Sequence, residues 1–458
     1  MIKKIKSDKK IILLLALIWL ASCLPLFLHG IDDRGGQDLS FHLLRIEGIV
    51  EGLESGQFPV RIQPNWLEGY GYATGIFYGD LLLYLPAVLR ILGLPILLSY
   101  KIYAATINLL TVLVAHWSFK RIFKAESSAL VCTAVYTLAT YRLVNVYVRQ
   151  AVGEYSAMIF LPLIAAAVYG LYTEAVEDWK EYSSNSVMLA IGMSGLIYTH
   201  MLTTEMTVIV LACVCIFFFK KTFRKNTLRA YGRAVWLTLL LGAAFLVPFI
   251  DYYINVPVVI TSGLTEVNAI QQEGVHILDF FYIFKNPFGS SYSGIEYNRD
   301  GLMLLSVGLV MLATLAVAIV LLVIRRREAD RRLLPFTIFS AVSLWVSSNL
   351  FPWDFIAYSV PGGTFLAQVQ FPWRYLVIAD VFLTLLLGVV LEELKEAGRY
   401  IIPAIIGIQL LLTVVFFGYY VAYADLHTFD SVEELNTTYI GGEEYLRTGT
   451  DLEELLSR

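Results

Sequence analysis

Residues 10–59 read "KIILLLALIWLASCLPLFLHGIDDRGGQDLSFHLLRIEGIVEGLESGQFP". The first part, 10–28, is an almost unbroken apolar run, long enough to cross the roughly 30 Å of hydrocarbon in a bilayer. The second part is polar and amphipathic, and it carries Asp38, His42 and Arg45 at helical spacing. A membrane span followed at once by a carboxylate-bearing helix predicts an all-α membrane protein with polar side chains gathered beside its first span.

The rest of the chain repeats the apolar pattern. Of its 458 residues, 57% are hydrophobic and 16% are charged, which is typical of a polytopic helical membrane protein and not of a soluble one. We predict a bundle of about eleven transmembrane helices from the apolar runs. These lie near 10–28, 97–118, 126–141, 154–172, 186–201, 204–219, 234–250, 302–324, 333–350, 374–391 and 400–420. Nothing in the sequence indicates a nucleic-acid partner.

Basic residues set the predicted orientation. Clusters such as "KKTFRKNTLRAYGR" and "RRREADRR" belong on the cytoplasmic side by the positive-inside tendency. This predicts a multi-pass protein of the cell (plasma) membrane, with the N-terminus cytoplasmic and the C-terminus extracytoplasmic. Counting 76–92 as a span would move two basic clusters outside, so we predict a second juxtamembrane helix there, interfacial or re-entrant.

These assignments divide the chain into a transmembrane domain at 1–424 and a short extracytoplasmic tail at 425–458. The first extracytoplasmic loop, 29–96, holds both juxtamembrane helices. The motif "LASC" before residue 24 resembles a lipoprotein cleavage box, but the apolar run continues beyond Cys23. We therefore expect an uncleaved first span, with lipidation of Cys23 as the alternative.

The first juxtamembrane helix, about 38–55, has two distinct faces. An apolar stripe recurs every three to four residues, while Asp38, His42 and Arg45 share the opposite face. One interpretation is a helix lying on the membrane with a merely hydrated polar face. An N-terminal cap would explain Asp38 but not the clustered His and Arg. We favour a polar face that forms half of a site.

Three stretches carry a family resemblance: "GGQDLSFHLLRI", "RQAVGEYSAMIFLPL" (149–163) and "QFPWRYL" (370–376). With the acidic residue after the first span, they resemble the GT-C glycosyltransferases. They are most similar to a bacterial family labelled "6-pyruvoyl-tetrahydropterin synthase-related membrane protein", a relative of the lipoteichoic-acid glycosylating membrane proteins. The label itself predicts no pterin chemistry, because the six histidines are scattered singly, without zinc-ligand spacing.

The resemblance implies a fold and a reaction. A GT-C enzyme transfers a sugar from a polyprenyl-phosphate donor to an envelope glycan, polymer or lipid acceptor at the outer face of the bilayer. Asp38 matches the acidic residue after the first span and would be the catalytic base. His42 would assist it, and Glu154 would be the second acidic catalytic residue, which binds a metal or an acceptor hydroxyl. A divalent cation, Mg²⁺ or Mn²⁺, would be held by Asp38 and Glu154, although Leu39 replaces the usual acidic neighbour.

Further residues are candidates for binding the donor. The donor-binding candidates are Arg45, Arg149, Arg374, Gln370 and Trp373. The three arginines have planar guanidinium groups suited to phosphate oxygens, and Gln370 and Trp373 are neighbours of Arg374 in the sequence. His200 and Asp380, polar side chains within apolar runs, are expected to line the cavity. An Arg149–Glu154 ion pair and an interfacial anchor at Arg374 are the structural alternatives.

Other classes of function remain open at this point. A flippase or transporter of lipid-linked glycans would show inverted repeats, and the sequence has no visible symmetry of that kind. A polysaccharide polymerase or ligase would place its arginines in one large late loop. A non-catalytic envelope-assembly membrane protein is the remaining alternative, and Leu39 is compatible with it.

Overall fold

The computed structural model describes residues 2–32, 38–174, 179–261, 270–282, 303–325, 328–394, 398–428, 435, 437–438 and 443–457. This part of the chain is mostly helical. The helices are α1 Ile2–Ser22, α2 Leu39–Glu54, α3 Thr74–Phe77, α4 Tyr84–Ile91, α5 Ile96–Ile122, α6 Glu126–Thr137, α7 Thr140–Tyr147, α8 Val152–Ala157, α9 Leu161–Thr173, α10 Trp179–Ile197, α11 Met201–Phe217, α12 Phe219–Thr222, α13 Lys225–Asn255, α14 Leu309–Arg325, α15 Leu333–Ser347, α16 Trp353–Ser359, α17 Gly363–Ala367, α18 Leu376–Glu393, α19 Gly398–Tyr423 and α20 Leu452–Leu456. Two short strands, β1 Ile31–Asp32 and β2 Leu426–His427, pair antiparallel.

Several helices are membrane spans by length and composition. Five helical segments of the described chain qualify, or six if the bent pair α6–α7 counts as one span. The five are 96–122, 152–173, 225–255, 372–393 and 400–423. Shorter apolar helices, among them α11, α14 and α15, lie between them. The protein is a helical membrane protein, and the count of about eleven spans stays a prediction.

Helix α18 forms the centre of the bundle. It packs against α6, α9, α14 and α15. In the most apolar 18-residue stretch of the span 372–393, 89% is buried. In the corresponding stretches of α13 and α19, only 17% and 22% are buried. A helix that is apolar all round belongs in the core or against lipid. The central position of α18 fixes the segment that precedes it, residues 372–375.

The first loop is folded into the protein instead of lying on its surface. Helix α2 packs against α4, and both of its faces are buried: Leu43 and Ile46 on one side, His42 and Arg45 on the other. The interpretation of a helix that lies on the membrane with a merely hydrated polar face is therefore wrong. Gly56, at φ +85°, follows the helix and accepts the left-handed turn that ends it.

The segment 76–92 is not one continuous helix. It is broken into α3, a short 3-10 turn at Leu81–Leu83, and α4. At about 1.5 Å per residue, the eight residues of α4 span only about 12 Å. This length agrees with the predicted juxtamembrane helix and is too short for a span.

The C-terminal residues return to the first loop. Strand β2 pairs with β1, so that Ile31 lies opposite His427. Further on, the residues that we name the C-terminal strap, 443–448, run antiparallel to the chain after α13: the amide of Val259 donates to the Leu446 carbonyl at 2.9 Å. The described part of the predicted tail is thus packed against the bundle.

Cys23 lies at the end of the first apolar run and is 3% exposed. The Nδ2 of Asn108 on α5 donates to its sulfur at 3.5 Å. Helix α1 and the 3-10 turn at Leu24–Phe27 continue through this position, in keeping with packing inside the bundle.

Candidate active site

The Glu154 carboxylate, at the start of α8, is 1% exposed and accepts hydrogen bonds on both oxygens. The Tyr141 hydroxyl and the Asn145 amide donate to Oε1 at 2.7 and 3.1 Å. Arg149 Nη1 donates to Oε2 at 2.8 Å. A buried charge held in this way is compensated, because a guanidinium and neutral donors replace its water. The ion pair named above as the structural alternative is present.

Local sequence explains how these donors converge. Tyr141, Asn145 and Arg149 follow one another at intervals of four residues, so they share one side of α7 and its extension. Gln150 then adopts a left-handed conformation, φ +50°, which turns the chain so that Glu154 faces back toward that side. The turn is costly for a residue other than glycine, and the buried network around Glu154 stabilises it.

Arg374 approaches the same carboxylate from the N-terminal end of the central helix. Its Nε lies 3.7 Å from Glu154 Oε2, and its Nη1 donates to the Val369 carbonyl and to Gln370 Oε1, both at 2.8 Å. The Phe371 ring lies 5.0 Å from the guanidinium carbon. Arg374 is 8% exposed, and its Nε makes no hydrogen bond within the described chain. The guanidinium is thus held in place, and its Nε faces the Glu154 carboxylate at ion-pair distance without a hydrogen bond.

The two predicted neighbours of Arg374 have different roles in its geometry. Gln370 adopts φ +64° and turns its side chain back to the guanidinium. Trp373 stacks on Phe371, with centroids 4.2 Å apart and planes 6° apart. It is 2% exposed, and it supports the aromatic platform beside the arginine.

Asp38 precedes α2 and meets this charged cluster. Its backbone amide donates to the Arg149 carbonyl at 3.1 Å, which fixes the start of α2 beside the end of α7. Its side chain is half-buried and makes no helix-capping hydrogen bond within the described residues, so the capping alternative is not realised. Burial raises the pKa of the Asp38 carboxyl, the positive charges of Arg149 and Arg374 lower it, and Glu154 raises it.

His42 and Arg45 lie behind Asp38. Arg45 is fully buried, and its Nη2 donates to the carbonyls of Tyr78 and Gly79 at 3.3 and 3.0 Å. Its Nη1 lies 3.3 Å from His42 Nδ1. Burial and the Arg45 charge lower the pKa of His42 well below its ordinary value, which keeps the ring neutral. This placement favours a role for Arg45 in holding residues 78–79 over contact with phosphate.

The two predicted cavity residues lie in different places. His200 borders the site: its ring packs edge-on to Tyr78 at 5.9 Å, and its Nδ1 accepts from the Thr203 amide at the start of α11. Asp380 lies deeper along α18, fully buried, with Arg142 as its charged neighbour. The structure brings His200 to the cluster and leaves Asp380 outside it.

The predicted metal ligands do not fit a divalent-cation site in this arrangement. Glu154 uses its oxygens to accept from Tyr141, Asn145 and Arg149, and a second guanidinium lies beside it. Within the described residues there is no group of three or more His, Cys, Asp or Glu side chains suited to a metal. Guanidinium groups thus occupy the place where a cation would balance these carboxylates.

Some site residues were missed by sequence reasoning. The four-residue spacing of Tyr141, Asn145 and Arg149 was a usable signal, because a polar stripe in an apolar helix marks a buried partner. Tyr78 gave no signal. It reaches the site through contacts with His42, Arg45 and His200, which lie far away in the sequence.

Known proteins resemble this chain clearly in fold and only distantly in sequence. No family model matches the sequence. An uncharacterized protein of Lactococcus lactis subsp. cremoris (strain MG1363) is 24% identical over 226 residues, which cover 48% of this chain and 36% of that protein. Sequence similarity therefore extends to half of the chain and assigns no activity.

Solved structures give a stronger likeness. The archaeal oligosaccharyltransferase AglB from Archaeoglobus fulgidus, in complex with an inhibitory peptide and a dolichol-phosphate, matches 97% of this chain with a TM-score of 0.57. The fold is of the GT-C type. A second structure of the Archaeoglobus fulgidus oligosaccharyltransferase, with Zn and sulfate, matches 96% with a TM-score of 0.55.

Sequence identity to both structures is 13%, so the likeness concerns the fold alone. The chain spans about 60% of their length, 62% and 59% respectively. The expected GT-C fold is confirmed at this level. The narrower resemblance to the pterin-synthase-related family stays a prediction.

Proposed function

We propose that this protein is a GT-C-type glycosyltransferase that uses a polyprenyl-phosphate sugar donor and acts on an envelope glycan, polymer or lipid at the extracytoplasmic face of the cell membrane. The observation that carries the proposal is the meeting of Asp38 with Arg149, Glu154 and Arg374. The carboxylate of Asp38 provides the base that the reaction needs. The guanidiniums of Arg149 and Arg374 provide the positive charge for the leaving phosphate.

In the proposed step, Asp38 accepts the proton of the acceptor hydroxyl. The acceptor oxygen forms a bond to the anomeric carbon of the sugar. The bond between that carbon and the phosphate oxygen breaks, and the phosphate leaves with the electron pair. Arg374 stabilises the negative charge that develops on the leaving phosphate, because hydrogen bonds to Val369 and Gln370 hold its guanidinium beside the cluster.

Glu154 and Arg149 have a supporting role in this step. Glu154 binds one guanidinium and approaches the other, so it fixes the spacing between Arg149 and Arg374. A fixed spacing matters because preorganised charges need no rearrangement when the phosphate leaves. The neutral His42 ring and Arg45 hold Tyr78 behind Asp38 and limit water access.

The test combines binding and product formation. Undecaprenyl phosphate serves as the probe for binding to the purified protein in nanodiscs, and envelope sugar composition in a deletion strain reports the product. We expect Asp38→Asn to keep binding within about twofold but to lose product about a hundredfold. Arg374→Gln should weaken binding about tenfold, the effect of one lost charge-assisted bond.

Glu51→Gln is the matched control, because Glu51 lies exposed on the same helix as His42 and Arg45. It should behave like wild type in both assays. Unchanged envelope sugars in the Asp38→Asn strain, with normal insertion of the variant, would refute the enzyme. A flippase would instead leave its lipid-linked substrate on the cytoplasmic side in the deletion strain.

A further inference from the structure

One cluster of basic residues has no acidic partners. We name residues 216–233 the basic hairpin, which comprises the end of α11, all of α12 and the start of α13. It carries six basic side chains and no acidic ones: Lys220, Lys221, Arg224, Lys225, Arg229 and Arg233. Lys221 Nζ donates to the Tyr172 carbonyl at 3.2 Å, and the Arg229 guanidinium lies 4.4 Å from the centre of the Trp179 ring. In the part of the chain that the structure describes, none of the six forms an ion pair.

Basic residues at the ends of other helices are, by contrast, compensated by acids. Three ion pairs show this: Lys120–Glu126, Arg121–Glu174 and Arg325–Glu393. In the basic hairpin, five of the six basic residues are exposed, whereas Lys221 is half-buried. Exposed charges that the protein does not neutralise create a positive potential at its surface. The basic hairpin therefore attracts an external anion, while the paired residues do not.

The basic hairpin also exposes apolar side chains beside its charges. Ile216, Phe217 and Phe219 are exposed, and they line a shallow groove together with Lys220. Trp236 follows the last basic residue by three positions and is exposed on α13, whose most apolar stretch is only 17% buried. Basic residues and an indole at the start of such a lipid-facing helix belong at the level of the lipid headgroups.

Contacts with neighbouring helices hold the basic hairpin in one shape. The Tyr172 hydroxyl at the end of α9 lies 2.8 Å from Thr222 Oγ1, and the Tyr182 hydroxyl on α10 lies 3.0 Å from Thr227 Oγ1. Both threonines are buried. The turn between α12 and α13 is thus anchored on either side, so little backbone freedom is lost when a ligand binds to it.

We propose that the basic hairpin binds the headgroup of an anionic phospholipid of the surrounding bilayer. The lipid phosphate lies against Lys220 and Arg224, and the acyl chains lie along Phe217 and Phe219. An anionic lipid fits because it brings both a negative charge for the unpaired cations and apolar chains for the groove, whereas a soluble anion brings only the charge. Each basic residue near an anionic membrane surface strengthens binding about fivefold.

The experiment titrates the purified protein in a neutral detergent with dansyl-labelled phosphatidylglycerol and follows energy transfer from tryptophan to the label. The test variant combines Lys220→Gln with Arg224→Gln. The matched control combines Lys120→Gln with Arg325→Gln, which removes two charges that already have acidic partners. We expect the dissociation constant to rise about twenty-fivefold in the test variant, two factors of five, and less than twofold in the control. Wild type should bind labelled phosphatidylcholine, which has no net charge, more weakly. Salt at about 1 M should remove this difference, because the screening length falls to about 3 Å.

Each other outcome counts against the proposal. Equal affinity of wild type for the two lipids would overturn it, and equal losses in the two double variants would show an effect of net charge alone. Displacement of the labelled lipid by glycerol 1-phosphate or polyglutamate at equal concentration would assign the hairpin to a soluble anion or an acidic protein. A loss of lipid affinity matched by a loss of thermal stability in phosphatidylcholine would give the two side chains a structural role. None of these results depends on whether the protein is a transferase.

Discussion

The buried Arg149–Glu154 pair allows a quantitative test of how the site is held together. The two side chains are 7% and 1% exposed, and their nitrogen and oxygen lie 2.8 Å apart. Replacing Glu154 with Gln leaves the Arg149 charge buried without its partner and removes the nearest negative charge from Arg374. Loss of one member of such a pair costs about 3–5 kcal/mol of folding free energy.

A double-mutant cycle separates this coupling from other effects. The variants are Glu154→Gln, Arg149→Gln and the double variant, and we expect a coupling free energy of about 2–3 kcal/mol. The control is the pair Arg121–Glu174, whose atoms lie 3.0 Å apart but whose side chains are 32% and 35% exposed. Its coupling should stay near 0.2–1 kcal/mol, because water screens an exposed pair.

The assay is reversible unfolding in mixed micelles titrated with SDS, followed by tryptophan fluorescence and circular dichroism. Unfolding free energies of the four proteins in each cycle are compared at one detergent composition. If the Arg149–Glu154 coupling were no larger than that of Arg121–Glu174, burial would not strengthen this pair. The idea that Glu154 fixes the spacing of the arginines would then be refuted.

Three further predictions concern residues close to the site. Burial raises the pKa of Asp38. Product formation should therefore fall with decreasing pH, with a midpoint above the pKa of an exposed aspartate, and a pH profile of the wild-type protein will show it. Burial likewise raises the pKa of Asp80 to about 6. The fold therefore favours the protonated carboxyl, and the ionised carboxylate destabilises it at high pH. Asp80→Asn should stabilise the protein by about 2–3 kcal/mol at pH 8 and not at pH 4. Equal unfolding curves of the two proteins at pH 8 would contradict this. Gly79→Ala should destabilise the protein by about 1–3 kcal/mol, since its Cβ would lie 2.4 Å from the Tyr198 backbone carbonyl carbon, whereas Gly407→Ala meets open space and should be neutral or stabilising in the same unfolding assay.

Much of the architecture could be read from the chain. Long apolar runs predicted the helical bundle, and the spacing of apolar residues predicted α2 to within one residue at either end. Motif resemblance named the fold type that the solved structures support. These features depend on local sequence, because helix formation and burial in a bilayer follow from the composition and period of each segment.

The environment of each site residue could not be read in the same way. The chain carries Arg45, Arg149 and Arg374 as three similar candidates for phosphate binding, yet Arg45 is bonded to backbone carbonyls and Arg149 to Glu154. The position of the Arg374 guanidinium depends on the turn at Gln370 and on the approach of α8. Burial and pairing of a charge are set by segments that lie far away along the sequence.

The sequence by itself determined that this protein is a membrane-embedded helical bundle with an acid beside its first span. Only the tertiary structure decided that α2 lies inside the protein, that two guanidiniums share Glu154, and that the C-terminal strap returns to the first loop. The physical reason is that hydrophobic period and helix propensity act within a segment, whereas charge compensation acts through space between segments that chain folding brings together.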